Sequence, residues 1–305
     1  MADVHQSPSP LIFDRALIRQ RQQRAAATGP ATFLLDRVGE DFAERLDAVL
    51  RHFDLAVDLG TPGDAVTRAL RSAHSVGAVI ITSATPDRGR ALAPNFIVAD
   101  EEALPFADAS IDLVASALAL QFVNDLPGTL VQVRRALKPD GLLLAVLLGG
   151  ETLTELRQSF AAAESEVEGG ASPRVSPFAD LRQLGALLQR AGFALPVTDV
   201  DRVIVRYDTA FDLMQDLRRM GATNALVARQ RRPLRRATLL RMAEIYAARF
   251  ADADGRIRAT FDLLWLSGWA PHPAQQQPLQ PGSAKTRLSH ALGTREFSAG
   301  EKARR

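Results

Sequence analysis

Residues 99–150 contain two short apolar runs joined by an amphipathic segment, and this unit constrains the fold more than any other stretch. Residues 111–116 and 142–148 are apolar and are bounded by Asp, Gly and Pro, as expected for strands buried on both faces of a parallel sheet. Apolar residues recur at helical spacing from Leu126 to Leu137. The sequence Lys-Pro-Asp-Gly at 138–141 is predicted to end that helix. The stretch therefore predicts a βαβ unit.

The same alternation of apolar runs and helical segments precedes this unit. Further strands are predicted at residues 55–60, 76–82 and 95–99. Helices are predicted at residues 13–27, 40–50 and 65–72. The strands are separated by about one helix each, which is typical of a doubly wound sheet. The first helix is interpreted as a cap over the ligand cleft.

Beyond residue 150 the pattern changes to helices and an alternating strand. Helices are predicted at residues 151–168, 178–191, 210–220 and 233–250. Residues 197–207 alternate apolar and polar side chains, as in an antiparallel edge strand, and residues 256–269 contain the last apolar run. The predicted fold is α/β, with a seven-stranded doubly wound sheet, an antiparallel edge hairpin and an inserted helical cap.

The chain of 305 residues is long enough to bury one large core. We expect a disordered lead-in at 1–12, a domain at 13–269 and an irregular tail at 270–305, where Pro, Gln and Gly are frequent. Within the domain, the core is expected to cover residues 40–150, and the helical cap and edge strands residues 151–269.

The composition excludes several kinds of site. The chain contains no Cys, which excludes disulfides, iron–sulfur ligation and thiol catalysis. The net charge of +2 does not demand a nucleic-acid partner, and no apolar run reaches the length of a transmembrane helix. The chain has neither a Gly-x-Ser-x-Gly elbow nor a phosphate loop. The spacing of His52 and Asp54 occurs in iron sites, but it precedes the first strand, away from the ligand crevice, so no metal site is predicted.

The first predicted strand runs into a glycine turn, Asp-Leu-Gly at 58–60 followed by Thr-Pro-Gly-Asp at 61–64. A strand, a glycine turn and a helix are the parts of a nucleotide-binding βα unit, in which the backbone approaches the ligand closely. Asp64 is interpreted as the N-cap of the next helix. Asp112 and Asp125 are interpreted as turn or cap residues.

Arginines dominate the region between residues 215 and 241. The run without an intervening acid comprises Arg218, Arg219, Arg229, Arg231, Arg232, Arg235, Arg236 and Arg241. These side chains form either a solvated helical face or a docking surface for an acidic partner or membrane headgroups. Aromatic residues are absent from the run, so single-stranded nucleic acid is not an expected partner. The region is expected to be a mobile lid beside the cleft.

These elements, in this order, resemble the class I S-adenosylmethionine-dependent methyltransferase fold. The motifs FDRALIRQRQQRAA, ADEEALPF, VNDLPGTL, LKPDG, GGETLTELR, SPFADLRQLGALLQRAGF and LMQDLRRMG resemble more specifically the family of the mitochondrial assembly factor of respiratory complex I. That family is described as protein arginine hydroxylases with a methyltransferase fold, and it has bacterial relatives. The resemblance covers residues 13–284. The chain is more distantly similar to the malonyl-carrier-protein methyltransferases of biotin synthesis.

The resemblance implies S-adenosylmethionine as the cofactor. The residues implied to bind it are Asp58, Gly60, Thr61, Gly63, Ser83, Asp100, Glu101 and Gln121. Asp100 would accept from the adenine amino group, and Ser83 aligns with the family's ribose-binding acid. The family's first loop reads Asp-Leu-Gly-Cys-Gly-x-Gly, and the sequence at 61–64 departs from it, so two glycine positions are lost. No catalytic base is predicted.

Two functions follow from this resemblance. The first is an S-adenosylmethionine-dependent methyltransferase-like protein that acts on a protein or a small acyl or quinone substrate, or in complex I assembly. The alternative is a non-catalytic assembly factor that has lost cofactor binding through its degenerate glycine motif. The expected partner is a complex I subunit, with peripheral membrane contact through the segment 218–241. Because the resemblance begins at Phe13, we expect no presequence and a bacterial cytoplasmic protein.

Overall fold

The structure is a computed structural model that describes residues 11–86, 95–276, 283, 286–295 and 297. Residues 1–10 of the expected lead-in and part of the expected tail lie outside the described residues. The chain divides into two compact units, Met1–Pro271 and His272–Arg305. The first unit contains the sheet. In the second unit the structure describes one short helix, Leu288–Leu292.

Seven strands of the first unit form one mixed sheet. Their bounds are β1 Phe53–Leu59, β2 Val76–Ser83, β3 Phe96–Val98, β4 Ile111–Ala117, β5 Leu137–Gly149, β6 Ala194–Tyr207 and β7 Ile257–Trp269. The strand order is β3-β2-β1-β4-β5-β7-β6. Strands β1 to β5 pair in parallel, whereas β7 is antiparallel to both β5 and β6. The predicted doubly wound sheet with an antiparallel edge hairpin is confirmed.

Helices cover both faces of the sheet. Their bounds are α1 Arg15–Ala27, α2 Phe33–Asp47, α3 Ala65–Ser72, α4 Leu126–Ala136, α5 Thr154–Glu168, α6 Leu181–Arg190, α7 Ala210–Arg219 and α8 Arg236–Phe250. Helices α7 and α8 lie between β6 and β7 in the chain, and α8 packs on α5. Among the described residues, no helix combines the length and the apolar character needed to cross a bilayer.

Two hydrophobic cores lie on opposite faces of the sheet. One core contains Phe42 and Leu46 of α2 together with Met242 of α8. The other contains Leu130 of α4 and Leu184 of α6. The central strands are therefore buried on both sides, as their continuous apolar runs predict. The winding direction reverses between β1 and β4, and in such sheets ligands bind at the carboxyl ends of the strands beside that point.

The starts of α2 and β5 differ from the predicted positions because the residues that mark helix and strand ends were misread. Helix α2 begins at Phe33 rather than at residue 40, since Leu34, Leu35 and Val38 are buried and extend its apolar stripe towards the N-terminus. Strand β5 begins at Leu137, directly after α4. The sequence 138–141 therefore lies within the strand, where the pairing of β4 with β5 shifts register and Asp140 adopts a positive φ of 66°.

The three predicted capping or turn carboxylates have different outcomes. Asp125 caps α4, accepting from the Gly128 N–H at 2.8 Å, so that prediction is confirmed. Asp112 accepts from the Leu55 N–H at 3.0 Å and pairs with a lysine, which makes it structural. Asp64 occupies the N-cap position of α3, but its side chain makes no capping hydrogen bond. Its carboxylate instead pairs with Arg68 at 3.2 Å, so Asp64 is the N-cap residue as predicted but does not cap the helix through its side chain.

We expect Leu46→Ala and Leu50→Ala to differ sharply in their effect on stability. Leu46 is fully buried against the sheet, whereas Leu50, just beyond α2, is fully exposed. The first substitution should lower the free energy of unfolding by about 2–5 kcal/mol, since it leaves a cavity. The second should change it by less than about 0.5 kcal/mol. Urea unfolding measures both values, and equal effects would mean that α2 does not dock on the sheet as described.

Candidate functional site

The turn after β1 opens its backbone towards the cleft. Gly60 and Gly63 adopt positive φ values of 70° and 142°, a region that side-chain-bearing residues rarely enter. The Gly60 N–H donates to the Thr82 carbonyl at 3.1 Å, which fixes the turn against β2. A methyl group on Gly60 would lie 2.5 Å from Oε1 of Glu101. The glycine therefore leaves room for a close approach between backbone and carboxylate.

Two of the predicted site residues, Asp58 and Thr61, hold this turn in place through hydrogen bonds with neighbouring elements. Asp58 is buried at the end of β1, and its carboxylate accepts from the Thr67 hydroxyl at 2.6 Å. The Thr61 hydroxyl accepts from the Ala117 N–H at 3.1 Å and so ties the turn to β4. These contacts are structural ones, made to α3 and to the neighbouring strand.

An acidic cluster after β3 surrounds one arginine of α1. Arg15 lies 2.7 Å from a carboxylate oxygen of Asp100 and 2.7 Å from one of Glu102. It also pairs with Glu101. Arg19, one helical turn further along α1, pairs with Asp100 as well. Helix α1 therefore lies on the acidic cluster, in the place expected of a cap.

The three carboxylates of the acidic cluster differ in their pKa. Burial raises the pKa of Glu101, although Arg15 opposes this effect. Burial acts the same way on Asp100, but the Glu102 N–H, Arg15 and Arg19 outweigh it and lower the pKa of Asp100. The pKa of Glu102 is also lowered, since N–H groups and Arg15 outweigh burial. The Arg15 guanidinium thus favours the ionised form of all three carboxylates.

A small cavity of about 20 Å³ separates α1 from the glycine turn. Gly60, Ser83 and Glu101 line it, together with Arg15 and Phe122. The structure therefore brings together three of the predicted site residues from three different strand ends. With α1 in this position the cavity is far smaller than the 300–1,000 Å³ typical of ligand pockets.

A second cavity of about 100 Å³ lies on the other side of the turn. Pro62, Gly63 and Gln121 line it. The Gln121 amide nitrogen donates to the Leu118 carbonyl at 2.8 Å. Its carbonyl oxygen is buried and has no hydrogen-bond partner among the described residues.

A larger apolar chamber of about 390 Å³ adjoins the second cavity. The two share the lining residues Phe122, Leu148, Met220 and Ala222. The chamber lies between β5, α5 and α7, with Leu156, Phe160 and Leu217 among its apolar walls. The cavity beside the glycine turn therefore adjoins a chamber within the size range of small-molecule sites.

The charged side chains that line the chamber, within the described part of the chain, are Arg21, Arg174 and Arg218. Arg174 is neutralised by Glu164, which is 1% exposed and lies 2.5 Å away. Arg21 donates to the Thr223 carbonyl at 2.8 Å, and burial lowers its pKa. Arg218 is exposed, and no ion pair to it is present in the described residues. The chamber therefore carries uncompensated positive charge.

The strand order, the glycine turn and the carboxylates after β3 define a class I S-adenosylmethionine-dependent methyltransferase-like protein. Residues 57–145 match the family described as "Methyltransferase domain". A solved Bacillus halodurans protein, described as a presumed methyltransferase, superposes with a TM-score of 0.52 over 75% of this chain and 97% of its own. At 16% identity this likeness shows the fold alone.

Proteins related in sequence identify a narrower family within this class. The mitochondrial arginine-hydroxylase NDUFAF5 of Danio rerio is 38% identical over 90% of this chain and 87% of its own length. The Homo sapiens protein of that name is 39% identical over 90% and 81%. The malonyl-[acyl-carrier protein] O-methyltransferase of Laribacter hongkongensis is 35% identical over 88% and 94%. The chain therefore belongs to the NDUFAF5 arginine-hydroxylase family within the methyltransferase superfamily.

These relatives contradict the expected bacterial cytoplasmic location. The NDUFAF5 proteins are mitochondrial proteins of eukaryotes and are 38 to 44% identical to this chain. The expectation depended on where the motif resemblance begins in the sequence. That position carries no information about location.

Sequence reasoning missed the residues that join the three cavities. Phe122 lines all of them, and the sequence offered no signal for this beyond its place after β4. Arg15 and Arg19 lie in the first predicted helix, and neither is among the predicted cofactor-binding residues. Their spacing of four residues and the acids at 100–102 were the available signal, but pairing across more than 80 residues cannot be read from local pattern.

The residues present fit S-adenosylmethionine in chemistry, provided that the small cavity between α1 and the glycine turn widens. Gly60 and Gly63 offer open backbone, Gln121 offers an acceptor without a partner among the described residues, and Glu101 and Asp100 offer carboxylates to hydroxyl or amino groups. Arg15 pairs with Glu101 through Oε2, and Arg19 pairs with Asp100. Within the described residues no cluster of His, Asp or Glu could hold a metal ion.

We expect Arg15→Met to destabilise the protein most at neutral pH. Without the guanidinium, three carboxylates repel one another, and the free energy of unfolding at pH 7 should fall by about 1–3 kcal/mol. The lowered pKa values of Asp100 and Glu102 contribute stability above their ordinary range, and this stability is lost as the pH falls. The difference between wild type and variant should therefore shrink below about pH 4.

Urea unfolding at several pH values measures this difference. Arg37→Met is the matched control, since Arg37 forms an exposed pair with Asp201 at 2.8 Å. This substitution should lower the free energy of unfolding by less than about 1 kcal/mol at any pH. A pH-independent loss in Arg15→Met would show that packing, and not charge, explains its effect.

Proposed function

We propose that this chain transfers a methyl group from S-adenosylmethionine to an ionised carboxylate carried on an apolar substrate. The observation that carries the proposal is the chamber beside the glycine turn. Its walls are apolar, and its charged lining residues within the described chain are all arginines. Arginine is the side chain best suited to hold a carboxylate, because its guanidinium forms paired hydrogen bonds to the two oxygens.

The position of the chamber supports group transfer. Methyl transfer requires donor and acceptor to meet without water between them. When bound, S-adenosylmethionine supplies an electrophilic methyl group on a positively charged sulfur. Gly63 and Gln121 line the cavity next to the turn, and Phe122 and Met220 lie where that cavity joins the chamber. An acceptor in the chamber therefore faces the turn across an apolar junction.

The lining also limits the chemistry of the acceptor. Among the described residues that line the second cavity and the chamber, no Asp, Glu, His, Lys or Tyr is present. An amine or hydroxyl acceptor needs a group to take its proton. A carboxylate has an ordinary pKa of about 4 and is already ionised at neutral pH. It needs only to be held, and Arg21 and Arg218 are placed to do so.

A guanidinium substrate fits this chamber poorly. It would bring a further positive charge beside Arg21 and Arg218, and the described residues that line the chamber include no carboxylate to pair with it. Arginine hydroxylation, named for the eukaryotic relatives, is therefore less well supported here than O-methylation, named for the Laribacter hongkongensis relative. We extend to this chain the class of acceptor, an acyl compound with a free carboxylate.

We expect apolar carboxylates to bind and to accept a methyl group, whereas matched cations do not. The first measurement is calorimetric titration with S-adenosylmethionine. The second is methylation of dodecanoate, with dodecanol and dodecylguanidinium as probes of equal chain length. Arg218→Ser should weaken dodecanoate binding about 5- to 20-fold, because a charged hydrogen bond is lost, and should leave dodecanol binding unchanged.

Arg231→Ser is the matched control, since Arg231 is exposed in the same region but does not line the chamber. Equal binding of dodecanoate and dodecylguanidinium would contradict the proposed acceptor. Absence of heat with millimolar S-adenosylmethionine would contradict the proposed enzyme altogether.

A second candidate function is a non-catalytic assembly factor. It is favoured by a surface patch formed by Arg231, Arg232, Arg235 and Arg236, which are exposed and form no ion pair within the described residues. Val227 and Leu240 add exposed apolar area nearby. We propose that this patch would dock an acidic surface of a respiratory complex I subunit. Peripheral contact with anionic lipid headgroups is an alternative use of the same charge.

We expect replacement of all four patch arginines by serine to slow partner association. The effect should be largest at low salt, where screening is weakest, and the melting temperature should stay nearly unchanged because these side chains are exposed. Surface plasmon resonance with a purified complex I subunit measures the association rate. Unchanged association at low salt would remove the support for docking, and a large fall in melting temperature would show that the arginines are structural.

A further inference from the structure

We propose that Glu101 supplies the hydroxyl-binding carboxylate that the end of β2 lacks, and that Arg15 positions it. The proposal depends on the cofactor-dependent function described above. It concerns the ribose of S-adenosylmethionine, whose two neighbouring hydroxyls require an acceptor. In this chain the acceptor would come from the loop after β3 and not from β2.

Ser83 is a poor candidate for that task. It ends β2 and is 7% exposed. Its hydroxyl lies 3.1 Å from the Thr85 hydroxyl and accepts from the Thr85 N–H at 3.3 Å. The side chain is short, neutral and already used to turn the chain after the strand. A single hydroxyl in this position cannot serve two ligand hydroxyls as a carboxylate can.

Glu101 carries the carboxylate that β2 lacks, and it lies at the same cavity as Ser83. It lines the same small cavity as Gly60 and Ser83, and its side chain is 12% exposed. Oε1 lies 2.5 Å from the place of a Cβ on Gly60, so a side chain at that position would displace the carboxylate. Oε2 takes the hydrogen bond from Arg15. The carboxylate therefore presents one oxygen to the β1 turn while the other anchors it, an arrangement that fixes its direction.

Arg15 explains how a buried carboxylate can act as an acceptor. Burial raises the pKa of Glu101, and a protonated carboxyl group would lose one of its acceptor sites. The guanidinium opposes this shift and favours the ionised form. Arg15 is itself held by Asp100 and Glu102, each at 2.7 Å. It is a positioning residue, because it acts on the cofactor side through Glu101.

The test compares Glu101→Gln with Glu40→Gln, which removes the same charge from an exposed position of α2 away from the cavity. Calorimetry measures binding of S-adenosylhomocysteine, adenosine and 2′,3′-dideoxyadenosine. Glu101→Gln should weaken S-adenosylhomocysteine binding about 10- to 100-fold, since charge-assisted hydrogen bonds are lost, and Glu40→Gln should change it less than about threefold. The preference for adenosine over its dideoxy analogue should disappear only in Glu101→Gln.

Two further variants separate chemistry from folding. Adding Ser83→Asp to Glu101→Gln should restore at least about tenfold of the lost affinity, because an acid returns to the cavity from β2. As the pH is lowered, Arg15→Met should lose affinity for S-adenosylhomocysteine at a higher pH than wild type, because the pKa of Glu101 rises without the guanidinium. Arg15→Lys should restore part of the wild-type pH profile.

The outcomes distinguish this inference from the proposed enzyme. If wild type binds S-adenosylhomocysteine and Glu101→Gln binds it equally well, the role of Glu101 is overturned and the enzyme proposal stands. If wild type binds neither S-adenosylhomocysteine nor adenosine at millimolar concentration, both proposals are overturned. Failure of the Ser83→Asp rescue together with loss of folding in Glu101→Gln, seen by circular dichroism, would make Glu101 structural and would also overturn the inference.

Discussion

The site depends on the placement of one guanidinium among three carboxylates. Removing charges from water costs several kcal/mol per ion, and only close, complementary partners offset that cost. Arg15 meets this condition because Asp100, Glu101 and Glu102 follow one another in the chain and all reach it. Replacing one acid leaves Arg15 with two partners, whereas replacing Arg15 leaves Glu101 and Glu102 without an ion pair in the described part of the chain and Asp100 with Arg19 alone. The arginine thereby couples the position of α1 to the ionisation of the cleft.

Helix α1 and the loop after α7 behave as one covering layer, because contacts distant in sequence join them. Phe13 pairs with Leu226, Asp14 with Arg229 at 3.1 Å, and Arg21 with the Thr223 carbonyl. Any movement of α1 that widens the small cavity therefore also displaces a wall of the apolar chamber. In the proposed reaction, cofactor and substrate would enter past the same structural element, which is a physical basis for ordering the two events.

The sequence predicted the sheet well because its signals are local. Apolar runs bounded by Gly and Pro are confined to single strands, and Asp125 caps the helix that follows it. The site was predicted less well because its contacts join distant segments. Ser83 was assigned by alignment to a cofactor role, yet its hydroxyl is engaged with Thr85, while Glu101 occupies the shared cavity. Neither fact can be derived from the spacing of residues in the chain.

The chamber shows why family membership and substrate have to be argued separately. The backbone positions that define the fold lie at the carboxyl ends of β1 to β4, whereas the chamber walls come from α5, α7 and the loop before α8. The walls belong largely to the inserted cap, which can change without altering the sheet. In the proposed reaction, the charge of the substrate is inferred from Arg21 and Arg218, which favour an anion.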